Sequence, residues 1–463
     1  MNSKSCQRYP ALRASFGASR WDITPDLNVC SKNWGAAAHW FADGVHRELT
    51  GTAIAIAGLS ENAPPLLLIS LELGWWRSRG DADRFRQQLL DELELPEENL
   101  ILHLTHTHSG PILDSEAPRE SSPETARAYL ALLVQSCATG AREAIQNRHP
   151  ATALFNCGRC SLATNRDLPD PQRGDRYLCG FQPEAPADDT LLVGRIVLDD
   201  GRTLATLVNY ACHPTTLAWE NHSISPDYPG AMRALVEGET NGAPCIFLFG
   251  ASGDLAPAEQ YTGDTSLADR HGRELGYAAM AALAPLERGL PALRFEGCVE
   301  SGAPLAVWKA SSHPSDGCLR ASAPNLTVEV KHDLPTIEAI DAAIAAKPEG
   351  FQYERLLRQR RVRASIGNGT TSVERIWLWR LGDALLCATP FEAYSDLQLR
   401  IRREFPNRPV FTLNIGNGSL GYLPPRPLYD HNIYQVWQTP FARGTLEQVI
   451  DAAIVGLHEL SQD

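Results

Sequence analysis

Five apolar runs in this chain each break into a short polar stretch: NLILHL into THTHSGP (105–111), TLATLV into NYACHPTT (209–216), CIFLF into GASGDLAP (250–257), ALLCA into TPFEAY (389–394) and VFTLNIG into NGSLGY (417–422). Short apolar runs rich in β-branched and aromatic residues read as buried strands. Ionisable residues that follow such a strand sit at its carboxyl end, where open α/β sheets gather their ligands. Five endings of this kind can converge on one cleft, and a composite site is the expectation.

The strands expected from these runs are 66–74, 99–108, 203–212, 244–251, 375–381 and 409–416. Helices are expected at 81–93, 122–148, 265–288, near 335–365 and at 445–460, with Ser122, Thr265 and Thr445 as N-caps and Pro123 at a first helical position. Strands alternating with helices mark an α/β protein. No repeat or long linker divides the 463 residues, so one catalytic domain is expected, with a possible inserted subdomain or hairpin layer at about 299–335.

Charge and cysteine usage narrow the function classes. A formal net charge of −13 argues against nucleic acid and against stable membrane association, leaving a small-molecule substrate as the expected partner. No apolar run approaches the roughly 20 residues of a bilayer-spanning helix. The N-terminal MNSKSCQRYPALRASFG lacks the apolar segment of a secretory signal, and the eleven cysteines are scattered through apolar strands. Together these give a cytoplasmic expectation. Cys157 and Cys160 form the sole CxxC, with no second pair at metal spacing. No motif speaks to oligomeric state.

In HLTHTHSGP, strand alternation puts His106 and His108 on one face and His103 on the other. Two imidazoles so placed share a cation, divide the work of ligand and general base, or merely hydrogen-bond a strand end. His213 in NYACHP and Glu392 in TPFE supply a second imidazole and a carboxylate at equivalent positions. Two histidines, one carboxylate and an open position are the makings of a catalytic zinc centre. Trp34, His39 and Trp40 read as core aromatics, and RLLRQRRVR (355–363) as a solvated helix face.

DIT (22–24), THTHSGP, TNRD (164–167), NYACHPT, GASGDLAP, TPFEAY and SLGY (419–422), in that order, resemble the motifs of the neutral, non-lysosomal ceramidases. The resemblance runs from about residue 16 to the end of the chain. It implies an α/β catalytic domain of mixed β-sheets flanked by helices, without the family's C-terminal immunoglobulin-like domain. It also implies one Zn2+ per chain, held by His106, His213, Glu392 and Tyr422. By the same resemblance His108 lies beside the reacting carbonyl, and Arg166 and Tyr434 contact substrate. Asp254 is expected to orient a histidine.

One position departs from the family pattern. Where the family carries a serine proposed to act in amide cleavage, this chain has Ala256, and Ser252 lies four residues earlier. The expected chemistry is therefore hydrolysis of an amide or ester by a zinc-activated water, with His108 as general base and acid. The expected substrate is smaller and more soluble than ceramide. The alternatives are a lipid amidase of the ceramidase type, a zinc lactonase or esterase, and a noncatalytic binding protein on the same scaffold.

Overall fold

Strands β1 (Ala11–Asp22), β2 (Thr50–Ala57), β3 (Leu66–Leu71), β4 (Leu100–Leu104), β5 (His149–Arg159), β6 (Thr190–Leu198), β7 (Thr203–Tyr210) and β8 (Cys245–Phe249) form one sheet in the order β8-β7-β6-β5-β1-β2-β3-β4. The computed structural model describes residues 6–60, 63–116, 121–289, 292–312, 315–346 and 351–462. The sheet is mixed: β3 with β4 and β7 with β8 run parallel, and every pair between them is antiparallel. Every residue of β2, β3, β4 and β8 is buried, as their unbroken apolar runs require of strands covered on both faces.

Helices α1 (Arg79–Leu93), α2 (Pro123–Gln146), α3 (Tyr228–Glu239) and α4 (Thr265–Leu283) cover one face through Leu89, Leu133, Met232 and Leu275. The other face packs on a second sheet, β9 (Leu319–Ser322), β10 (Trp377–Leu381), β11 (Ala384–Ala388) and β12 (Val410–Leu413), with Phe16, Phe155, Trp379 and Phe411 in the shared core. Further helices are α5 (Ile337–Ala345), α6 (Phe351–Ile366), α7 (Asp396–Glu404), α8 (Tyr434–Gln438) and α9 (Thr445–Ser461). Of these, α7 and α9 back the second sheet through Leu397, Ile401, Val449 and Leu457. The layers thus run helix, sheet, sheet, helix, which is the expected α/β class with mixed sheets flanked by helices.

Boundaries differ from expectation in instructive ways. Ser122 caps α2 by accepting from Thr125 N, with Pro123 in the first turn, as the sequence predicts. At α4 and α9, however, the cap falls one residue earlier, on Asp264 and Gly444, and both threonines are already helical. The helix expected near 335–365 is two helices, α5 and α6, and residues 347–350 between them lie outside the described residues. The expected inserted layer begins as a hairpin, Ala292–Glu300 with Pro304–Ser311, which takes Cys6–Arg8 as a third strand. Residues 313 and 314 of that stretch, the first five residues and residue 463 also lie outside the described residues. No helix among the described residues is long and apolar enough to cross a membrane.

The first sheet curls until side chains on its two edges meet. His103 on β4 accepts a hydrogen bond at Nε2 from the Phe249 amide of β8, at 3.0 Å. Its Nδ1 therefore carries the proton toward Ser70 Oγ (3.0 Å), and Ser70 donates onward to the Phe247 carbonyl (2.8 Å). Burial pulls the His103 pKa down to about 3, which keeps the ring neutral in this relay. The segment after β12 seals the rest of the seam: Asn414 N donates to Phe249 O, while Asn417 N donates to Leu102 O and its side chain accepts from Leu102 N. Edge groups that would otherwise be unpaired are thereby satisfied.

His103→Leu keeps an apolar fit but orphans the Phe249 amide and the Ser70 hydroxyl. A loss of about 2–4 kcal/mol in unfolding free energy is expected, read from urea denaturation.

Candidate metal centre

His106 lies two residues past β4, where the chain turns out of the sheet with a φ of 71°. Non-glycine residues adopt this left-handed backbone uncommonly, histidine more often than most, and the turn is held by bonds from Thr105 N to Leu71 O and from His106 N to Leu73 O. His106 Nδ1 faces the Gly74 carbonyl at 3.3 Å. His213, three residues past β7, directs Nδ1 at the carbonyls of Ser252 (2.7 Å) and Leu255 (3.2 Å). Both rings thus carry the Nδ1 proton and turn an Nε2 lone pair inward.

Glu392 and Tyr422 are neighbours because Glu392–Ala393 and Tyr422–Leu423 form a short parallel pair, in register at Glu392 and Tyr422. The side-chain amide of Asn414 fixes this pair by donating to Ala393 O and accepting from Ala393 N. Glu392 Oε2 comes to lie 3.3 Å from His106 Nε2 and 3.4 Å from His213 Nε2. Tyr422 Oη is 3.5 Å from His213 Nε2 and accepts from Arg166 Nη2 at 3.2 Å.

Two imidazole lone pairs facing one buried carboxylate repel unless a cation lies between them. Burial lowers the His213 pKa to about 3, with Arg166 adding to the effect, so the ring itself is not that cation. The buried Nε2 of His106 has no hydrogen-bond partner. The donor atoms of His106, His213 and Glu392 all lie within 4.8 Å of one another, and the group is able to hold a metal ion. No other such trio occurs among the described residues, Cys157 and Cys160 included.

The trio opens onto a cavity of about 260 Å³. His106, His108, Arg166, Glu392, Tyr422 and Tyr434 all line it, and His213 lies fully buried just behind. His108 is wedged between the indoles of Trp34 and Trp75, with ring centroids 4.9 and 4.7 Å away, and both of its ring nitrogens are buried without a partner. Burial, then the nearby His106 and His213, push its pKa well below the ordinary value. Arg166 is anchored by Nε and Nη2 to the Gly253 carbonyl at 3.1 and 2.8 Å. Tyr434 opens α8, its ring centroid 5.5 Å from that of Tyr422, and its hydroxyl accepts from Arg358 at 3.1 Å.

Asp254 does a different job from the one expected. Its carboxylate accepts from the amide and hydroxyl of Ser395, at 2.7 and 2.6 Å, and backbone carbonyls hold the histidines instead. Ser252 Oγ lies 3.2 Å from His213 Nδ1, on the opposite side of the ring from Glu392, and Ala256 is buried in a strand paired with Ala163–Asn165.

Two readings from the sequence are also corrected. Trp34 lines the cavity, and so does α6, whose basic run is not simply a solvated face. Arg358, Arg361, Val362 and Ser365 follow the i, i+3, i+4, i+7 spacing of one helical face, and all four line the cavity. Arg77, just ahead of α1, joins them.

No family model matches the sequence, and no curated protein matches it. Solved structures do. A ceramidase complexed with C2 superposes with a TM-score of 0.67 at 17% identity, over 97% of this chain and 76% of the other. The neutral ceramidase from Pseudomonas aeruginosa gives a TM-score of 0.67 at 18% identity, over 99% and 76%. The chain has the neutral ceramidase-like fold. Within that fold the trio sits at the loops that the strand endings supply, and the resemblance seen in the ordered motifs extends to the architecture.

Asp254 gives a direct test of its reassigned role. Burial raises its pKa to about 6, so the folded state holds this proton more tightly than the unfolded chain, and stability falls as pH rises from about 4 to 6. Asp254→Asn is expected to remove that part of the pH dependence in denaturation curves while leaving metal content unchanged by elemental analysis.

Proposed function

We propose that this protein is a zinc-dependent hydrolase that cleaves an amide or ester bond of a small soluble substrate, acting in the cytoplasm. The observation that carries the reading is the convergence of two inward-facing imidazoles and a carboxylate on the wall of a cavity, with a third imidazole, His108, beside them. Free cysteines such as Cys137, Cys157, Cys212, Cys245 and Cys387 accord with a reducing compartment. The ceramidases that share the fold make amide cleavage the leading reaction class.

His106, His213 and Glu392, with Tyr422 as fourth donor, would hold Zn2+, a metal suited to nitrogen and oxygen ligands. When bound, it supplies a water of lowered pKa and polarises a carbonyl. His108 takes the proton released as the C–O bond forms and returns it to the departing nitrogen or oxygen. Its position between two indoles fixes the ring without occupying either nitrogen. Arg166 and Tyr434, which line the same cavity, would present donors to the negative charge that develops on the carbonyl oxygen. No serine is needed, which accommodates Ala256.

Protein purified without chelator is expected to contain close to one zinc per chain, and His213→Ala to lose both metal and turnover across a panel of amides, esters and lactones. His108→Ala should retain the metal but lose about 10²- to 10⁴-fold in kcat. Full turnover in His213→Ala would overturn the reading.

A further inference from the structure

Four arginines line the cavity, Arg77, Arg166, Arg358 and Arg361, against a single carboxylate, Glu392, among the described lining residues. Glu392 is committed to the two histidines. Three of the four guanidiniums gather on the α6 side. Arg77 is stacked 4.2 Å over Trp75 and donates to Asn33 Oδ1 at 2.8 Å. Arg358 donates to the Tyr434 hydroxyl, and Arg361 lies 3.6 Å from Asp114, which is not itself part of the wall. Burial, and then Arg361 and Arg358, drive the Arg77 pKa well below its ordinary value, so the cluster is held together against its own repulsion.

A chain of net charge −13 has no general surplus of cations to spread over its surface. Concentrating guanidiniums at one cavity wall, each oriented by a ring or a polar side chain, prepares forks that match an oxyanion in two-point contact. The cluster is also positioned relative to the reacting end. Trp75 touches His106 and His108 on one side and carries Arg77 on the other, while Tyr434 lies between Tyr422 and Arg358. One aromatic ring, Trp75, therefore separates Arg77 from His106, and two, Tyr434 and Tyr422, separate Arg358 from His213.

We infer that the substrate carries an oxyanion, a carboxylate or a phosphate, a few bonds from the scissile carbonyl, and that Arg77, Arg358 and Arg361 hold it. The inference rests on the hydrolase reading and narrows its substrate class to anionic acyl amides or esters. A neutral amide such as ceramide lacks the group this wall is built to meet.

The test compares N-hexanoylglycine, its neutral counterpart N-hexanoylglycinamide, and N-hexanoylethanolamine phosphate. Binding is followed by tryptophan fluorescence in metal-depleted protein, which keeps carboxylate–metal coordination out of the reading, and kcat/KM is measured in zinc-replete protein. Either anion is expected to bind roughly 10- to 100-fold more tightly than the neutral amide, with the preference weakening as salt rises. The two anions together distinguish a carboxylate from a phosphate. Arg361→Gln and Arg77→Gln should each move the preference toward parity. Equal binding of all three ligands by the unaltered protein would overturn the inference whether or not the variants fold. Anion preference without hydrolysis of any of the three would count against the hydrolase reading, and with it the scissile bond assigned here, and leave only the anion-binding wall standing.

Discussion

The closing of the curled sheet on itself is the constraint on which the rest depends. A sheet of eight strands leaves two edges, and here both are buried. The groups on β4 and β8 must therefore find partners inside the protein. His103 and Ser70 span the gap directly, and Asn414 to Asn417 fill what remains. Because those residues follow β12, sealing the seam also brings the end of the second sheet against the end of the first. His106 leaves the first sheet three residues beyond His103, and Asn414, which seals the seam with its backbone amide, grips Ala393 beside Glu392 with its side chain. The trio is assembled as a consequence of closure.

Closure also sets the electrostatics. Water is kept from the Nδ1 sides of both imidazoles by the carbonyls of Gly74, Ser252 and Leu255, which fix the tautomers. The Nε2 lone pairs then face Glu392, and that of His213 also lies 3.5 Å from Tyr422 Oη. Such an arrangement is costly when empty and favourable when a cation is shared, which is the usual energetic character of a metal site embedded in a folded core. The positive φ at His106 belongs to the same account. The strained backbone aims the ring, and the bonds to Leu71 and Leu73 maintain it.

Much of this architecture was legible because the strands are short, apolar and punctuated by chemistry-bearing residues. The runs ending at Leu104, Tyr210, Phe249, Ala388 and Leu413 are all strands; four of the polar stretches after them line the cavity, and the fifth, GASGDLAP, holds His213 from behind. The reason His106 and His108 are close differs from the alternation argument. The strand stops at Leu104, and the left-handed turn at His106 resets the direction of both rings. Asp254 was not legible, because whether a carboxylate beside a glycine reaches a histidine or Ser395 depends on a partner 141 residues away. The α6 arginines were misread for a related reason. Charge composition announces solvent exposure, whereas the spacing 358, 361, 362, 365 marks a face, and only the helix's docking decides what that face meets.

That last misreading bears on what this fold is doing in this chain. A scaffold shared with ceramidases supplies the loops and the metal-binding trio, and neither depends on what the cavity's far wall contains. The far wall is built by α6, which supplies no residue of the trio, and by the turn carrying Arg77, whose earlier residues Leu73 and Gly74 hold His106 through their carbonyls. The trio and the arginine wall are therefore separable in the physical sense: one is pinned by sheet closure, the other lies largely on a helix laid over the opening. Changing the charge on α6 alters what enters without disturbing the seam. The first set fixes the trio and the second sets the charge that faces whatever enters the cavity, and a shared fold constrains the first far more than the second.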